Sequence, residues 1–167
     1  IYTKQNSFDF LIDLDGSFTL VLINKKKKEI NLISDRFGFK PLYWSILNNN
    51  LVWSSELKGF LLHDDFKINI NKTAVNDFFK HGYLLNNETW FTNVNLIPPA
   101  SILTFDIKSL NINIKKYWNW NNLQSQSNKI DQRELALEFK ELFINSINRR
   151  INKNERIGIS LSGGLDS

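Results

Sequence analysis

Hydrophobic periodicity changes once along this chain, and that change limits the folds open to it. Between Ser17 and Tyr117 the apolar residues come in short runs bounded by Gly, Pro, Asn, Asp and Lys. Such runs predict short strands joined by turns. From residue 131 the pattern turns helical, with apolar residues at Leu135, Phe139, Leu142, Phe143, Ile147 and Ile151. Between the two regimes, Asn119–Lys129 is rich in Asn, Gln and Ser and offers little to bury, so it reads as a linker. The predicted organisation is one domain over 1–118, a linker over 119–130 and the start of a second domain over 131–167.

In the first domain, Ser17–Asn24 and Glu29–Ser34 predict a hairpin with Lys25–Lys28 as a solvated tip. No aromatic residue interleaves with those lysines, which argues against a nucleic-acid patch. Pro41–Ser45 and Leu51–Ser54 predict a second hairpin around Asn48-Asn49-Asn50. Glu56–Leu62 predicts a helical turn or two, with the Glu56 carboxylate there for the dipole. Asn71–His81 predicts a short helix with Ala74, Val75, Phe78 and Phe79 on its apolar side, ended by Gly82. Ser101–Asp106 and Asn111–Tyr117 predict two more strands after the Pro98-Pro99 break.

In the second part, Asp131 is a natural N-cap and Glu134 completes a capping-box pattern. Arg149 and Arg150 fall in the last turn, where they oppose the negative end of the dipole. Ile157, Ile159 and Leu161 alternate with Gly158 and Ser160, which predicts a short buried strand.

The 167 residues carry no Cys, so disulfides, thiolate metal sites and a cysteine nucleophile are excluded within them. The first residue is Ile and Met is absent, which reads as a fragment of a longer protein. The net charge of +4 is mild and does not point to nucleic acid. No apolar run approaches the roughly 18–20 residues needed to span a bilayer. His63 and His81 lack partners at zinc-like spacing. Asp64-Asp65 reads as a solvated loop pair, and Trp44, Trp53, Trp90, Trp118 and Trp120 read as core or interface residues. Asp35 and Arg36 read as fixing their turn, through each other or backbone groups, rather than as catalytic groups.

The segment that carries chemistry is Ser162-Gly163-Gly164-Leu165-Asp166-Ser167. Two glycines let backbone N–H groups close around an anion. Ser162 and Ser167 supply hydroxyls, and Asp166 supplies the hard anionic oxygen that holds Mg²⁺ beside phosphates. The loop has no Gly-Lys-Ser/Thr ending, so it is not a Walker A loop. A chance match to such a loop is on the order of 10⁻⁴ for a chain of this length at average residue usage.

Leu161–Ser167 (LSGGLDS) resembles the pyrophosphatase-type ATP loop of glutamine-hydrolysing asparagine synthetases and their relatives. Upstream, Leu14–Phe18 (LDGSF) resembles the family's LDG-x-F segment, and Asp35–Tyr43 (DRFGFKPLY) resembles its DRFGIKPLY segment. Ser54–Lys58 resembles ASEIK, Leu96–Ala100 (LIPPA) resembles LPPG with Ala100 in place of glycine, and Tyr117-Trp118 resembles its closing YW. The resemblance implies an α+β chain. It would hold the C-terminal half of an αββα sandwich of the N-terminal-nucleophile type, with mostly antiparallel strands. The first helix and strand of a doubly wound α/β ATP-binding domain would follow.

The resemblance further implies that Leu161, Ser162, Gly163, Gly164, Leu165, Asp166 and Ser167 contact ATP and pyrophosphate, with Asp166 serving Mg²⁺. The glutaminase nucleophile, an N-terminal cysteine, has no counterpart here, so no catalytic residue is assigned, and these 167 residues alone are expected neither to hydrolyse glutamine nor to bind ATP well. The implied substrates are glutamine, ATP and aspartate or another carboxylate. Nucleic acid and membrane are not implied, and a cytoplasmic, homodimeric full-length protein is. Ala100 and Asn154-Glu155-Arg156 depart from the commoner LPPG and SDVP forms. That leaves room for a paralogue acting on another carboxylate, β-lactam synthetase-like or peptide-cyclising, and for a non-catalytic scaffold.

Overall fold

The computed structural model describes residues 7–122, 131–151 and 154–165. The chain divides into two compact units, Ile1–Leu123 and Gln124–Ser167.

The first unit is built on two antiparallel sheets. Strands β1 (Thr19–Asn24) and β2 (Glu29–Ser34) form the first hairpin, in register from Thr19↔Ser34 to Asn24↔Glu29. Lys25–Lys28 form its exposed tip, and Lys28 closes it in the left-handed region at φ 58°. Strand β6 (Ser101–Asp106) pairs with the other side of β2, and β7 (Ile112–Lys116) pairs with β6, so the order is β1-β2-β6-β7. The second sheet has the order β4-β3-β5, from β3 (Tyr43–Leu47), β4 (Asn50–Ser54) and β5 (Asn95–Leu96). Leu47 pairs with Asn50, so the β3–β4 turn has two residues, Asn48 and Asn49, at φ 47° and 64°. Two positive φ values define the I′ geometry whose twist matches a hairpin, and asparagine tolerates them.

Side-chain alternation sends neighbouring residues of a strand to opposite faces. Leu32, Leu103 and Phe105 of the larger sheet meet Leu42, Leu51 and Ile97, with Trp44 and Trp53 alongside, in a core shared by both sheets. Ile33 and Ile102 point the other way and pack with Leu11 of the 3-10 turn Asp9–Leu11, flanked by Phe8, Phe10, Phe18 and Tyr117. Both faces of the larger sheet are thus covered around β2, where Leu32 and Ile33 are each fully buried.

Helix α1 (Lys72–His81) starts where Asn71 accepts from Ala74 N at 3.1 Å, and ends at Gly82 with φ 79°. Its buried row is narrower than the sequence suggests. Ala74 is buried and Phe78 packs on Trp90 at 5.0 Å, but Phe79 is 83% exposed. Residues 74 and 78 share one helical row and 79 sits in the next, which faces water. Glu56 precedes a 3-10 turn (Leu57–Leu62) and pairs with Lys58 at 2.6 Å, with both side chains exposed.

In the second unit, helix α2 (Gln132–Arg150) is capped by Asp131, which accepts from Arg133 N at 3.2 Å. Arg150 donates to Ser146 O at 2.9 Å, which satisfies a carbonyl of the last turn. The apolar side is not covered within the described residues: Leu135, Phe139, Leu142 and Phe143 are all more than half exposed. The buried strand expected at Ile157–Leu161 is not present. These residues form no strand, and Ile159 and Leu161 are 80% and 75% exposed. A strand exists only by pairing, and no described strand lies alongside this segment.

Candidate functional site

Four of the family-like segments, distant in sequence, meet around Asp35, two of them at its carboxylate and two through backbone carbonyls beside it. Asp35 is fully buried. Its Oδ1 accepts from Phe37 N at 2.9 Å and Phe39 N at 3.2 Å. Its Oδ2 accepts from Phe18 N at 3.2 Å and Lys40 N at 3.3 Å. Four N–H groups compensate the desolvation that a buried charge would otherwise suffer. The Phe18 bond ties in the LDGSF segment, and Asp35 N donates back to Phe18 O at 3.0 Å. The LIPPA segment joins through Ala100 N, which donates to Asp35 O at 2.9 Å. Tyr117 N donates to Ala100 O at 2.8 Å, and the Tyr117 hydroxyl donates to Ser34 O at 2.9 Å.

Asp35 therefore fixes its turn through backbone groups. Arg36 takes a separate course: its Nη2 donates to Ile12 O at 2.6 Å, and its guanidinium lies 5.3 Å over the Trp118 ring. Its Nε is buried and makes no hydrogen bond among the described residues.

Two backbone positions at this junction give opposite expectations. Gly38 has φ 67°, and a Cβ there would stand 3.0 Å from Pro99 Cγ. Gly38→Ala is expected to cost about 1–2 kcal/mol from the left-handed conformation alone, before the Pro99 contact is counted. Ala100 already sits at φ 54°, where a glycine is more comfortable. Ala100→Gly is expected to stabilise, by less than about 1 kcal/mol because glycine also loosens the unfolded chain. Urea melts of the two variants should move in opposite directions.

Burial raises the Tyr117 phenol above the ordinary tyrosine value; Asp35 adds to the rise and Arg36 opposes it. A raised pKa in the fold means a contribution present below the unfolded value and lost as pH rises through the folded one. Tyr117 should therefore ionise above the ordinary tyrosine value, and its contribution to stability should be lost only above roughly pH 10. The difference between the phenolate titrations of the parent and Tyr117→Phe proteins checks this; a lost component centred at the ordinary tyrosine value refutes it.

The glycine loop is exposed from Leu161 to Leu165. Gly163 adopts φ 80°, in open space, so conformation rather than room calls for glycine there. Gly164 N lies 3.4 Å from Ser162 Oγ. Asp166 and Ser167 fall outside the described residues. The donor types fit phosphate: a hydroxyl, a left-handed glycine and successive backbone N–H groups are those from which anion-binding concavities are made. One carboxylate suffices for Mg²⁺, which takes its remaining ligands from phosphates and water. Among the described residues, no group of three or more His, Cys, Asp or Glu is placed to hold a metal ion.

Residues 2–118 match the glutamine amidotransferase domain. The chain belongs to that family. Its sequence is 33% identical over 169 residues to a putative glutamine-hydrolysing asparagine synthetase 2 of Methanocaldococcus jannaschii, covering 100% of this chain and 32% of that protein. It is 26% identical over 172 residues to glutamine-hydrolysing asparagine synthetase 2 of Bacillus subtilis, covering 98% of this chain and 23% of that protein. It is also 23% identical over 165 residues to the amidase chyE of Penicillium rubens, covering 98% of this chain and 24% of that protein. The chain thus spans about a quarter to a third of the length of these relatives. For this glutamine amidotransferase domain the mixed α/β architecture with antiparallel sheets is the expected kind. No helix among the described residues is long and apolar enough to cross a membrane.

Sequence reasoning missed how the motifs cluster. It treated the LDGSF, DRFGFKPLY, LIPPA and YW segments as markers along a line. An available signal was the acidic Asp35 set among apolar residues, since a carboxylate in such a place needs several donors.

Proposed function

We propose that this chain is part of an ATP-dependent, glutamine-hydrolysing amide-forming ligase of the asparagine synthetase type. One observation carries the reading. Similarity to a putative glutamine-hydrolysing asparagine synthetase runs over 100% of the chain, past the amidotransferase match at 118 and across the SGGLDS loop. Residues 1–118 would be the later half of an αββα glutaminase domain, 119–130 a linker and 131–167 the start of a doubly wound ATP-binding domain.

In this reading glutamine is hydrolysed in the glutaminase domain to glutamate and ammonia. In the ATP-binding domain a substrate carboxylate, aspartate first among candidates, attacks the α-phosphorus of ATP, and pyrophosphate leaves. Ammonia then attacks the acyl carbon and displaces AMP. Adenylation makes a good leaving group of a poor one, and the loop offsets the charge that develops on pyrophosphate. Leu161 and the backbone of Ser162–Ser167 would hold the nucleotide, and Asp166 would hold Mg²⁺, which supplies Lewis-acid stabilisation when bound. A cytoplasmic location and a homodimeric full-length protein belong to the same proposal. The departures at Ala100 and Asn154-Glu155-Arg156 favour a second reading, in which the same scaffold amidates a carboxylate other than aspartate.

The test uses the full-length gene product with glutamine, ATP, Mg²⁺ and aspartate. Asparagine and pyrophosphate in equal amounts are expected. Pyrophosphate formed only with another carboxylate supports the second reading, and release of neither glutamate nor pyrophosphate overturns both.

A further inference from the structure

Two hairpin tips meet at one end of the larger sheet. The β1–β2 tip carries Lys25, Lys26, Lys27 and Lys28, and the β6–β7 turn carries Ile107, Lys108, Ser109 and Leu110. Ile107 N donates to Lys28 O at 2.9 Å, so the two tips are joined through their backbones. Each is also held in shape. Lys27 N donates to Asn24 Oδ1 at 3.0 Å, and Lys108 N and Ser109 N both donate to Asp106 Oδ1 at 2.8 Å.

By itself the first tip is a solvated lysine turn. The fold sets a fifth lysine and three apolar residues beside it. Ile23, Ile107 and Leu110 are 59%, 44% and 42% exposed. All five lysines are exposed, and among the described residues none of them is ion-paired. Glu29 and Asp106 are register partners at the adjoining strand ends, so five positive charges stand against two negative ones.

Water suits the lysines but not the aliphatic side chains between them. The phosphate backbone of a nucleic acid would engage the lysines and leave Ile23, Ile107 and Leu110 without a partner. Neither tip offers an aromatic ring or an arginine on which a base could stack. The boundary of an anionic bilayer takes both kinds of side chain: headgroup phosphates face the ammonium groups, and the upper acyl region accepts short aliphatic ones.

We infer that the two tips together form a peripheral contact surface for an anionic lipid bilayer, on which the protein sits reversibly without spanning it. Each lysine near such a surface strengthens binding about fivefold. Three short aliphatic side chains anchor weakly, so binding depends on anionic lipid and weakens as salt screens the charges.

Sedimentation of the full-length protein with lipid vesicles tests the surface. The protein should pellet with vesicles of equimolar phosphatidylglycerol and phosphatidylcholine, stay in solution with phosphatidylcholine alone, and be released by added salt. A Lys26→Gln, Lys108→Gln variant, which takes one charge from each tip, should bind roughly 30-fold more weakly. An Ile107→Ser, Leu110→Ser variant should bind several-fold more weakly with the same dependence on salt. Equal pelleting with the two vesicle types, or an unchanged affinity in the lysine variant, overturns the inference. Duplex DNA bound as tightly as the anionic vesicles, with no loss in the aliphatic variant, would show a phosphate-backbone partner and overturn it. Release by millimolar inorganic phosphate at constant ionic strength would show a site for a free anion and overturn it equally. Urea melts of both variants, set against the parent, separate lost binding from lost folding.

Discussion

Asp35→Ala should lower the stability of the first unit by roughly 4 kcal/mol, taking about 1–3 kcal/mol for each buried donor left without an acceptor. Four backbone N–H groups lose their partner at once, from Phe18, Phe37, Phe39 and Lys40. Those of Phe37, Phe39 and Lys40 belong to exposed residues and regain water in part, so the full sum is not reached. Asp35→Asn keeps one acceptor oxygen and should cost roughly half as much, because a donor now faces two of the N–H groups. Urea unfolding is the measurement: the midpoint should fall with the slope unchanged. A loss under about 1 kcal/mol for Asp35→Ala would mean that the N–H groups find other acceptors, and the junction would not depend on the carboxylate. Substituting exposed Lys25 on the hairpin tip gives the comparison, since surface changes away from such features stay within about 0.5 kcal/mol.

Asp166→Asn in the full-length protein should reduce ATP-dependent pyrophosphate release by about 100-fold or more, the scale seen when a group stabilising transition-state charge is removed. Glutamate release should persist within a few-fold, because glutamine chemistry is assigned to the other domain. Raising Mg²⁺ should recover part of the loss, since a weakened metal site is still filled by mass action. Unchanged pyrophosphate release would remove Asp166 from the nucleotide site. Equal loss of both activities would point to misfolding or to tight coupling, and a melt of the variant separates those two.

What was legible in the sequence was local. The lysine tip, the asparagine turn (shorter by one residue than read, because Asn50 pairs with Leu47), the Gly82 end of α1 and the Asp131 cap of α2 each depend on a few neighbouring residues. Their side chains or permitted φ values suffice to specify them. The role of Asp35 as a turn-fixing group was likewise legible, because a carboxylate in an apolar stretch has few other uses. What failed depended on partners elsewhere. Phe79 carries an apolar side chain, but whether its helical row faces the fold is set by what α1 packs against. Ile157–Leu161 alternates as a strand should, yet alternation cannot provide the neighbouring strand that pairing requires.

The glycine loop stands between these cases. Its residue types alone argue for phosphate chemistry, and the left-handed Gly163 agrees with that. The amino-acid sequence by itself thus determined the local elements and the family resemblance, and it motivates the phosphate reading of the loop, since each is written in residues close together. Only the tertiary structure decided that LDGSF, DRFGFKPLY, LIPPA and YW are tied together around the buried Asp35. Sheet register and long-range hydrogen bonds join residues 17 to 83 positions apart, and nothing local encodes which distant N–H will reach a given oxygen.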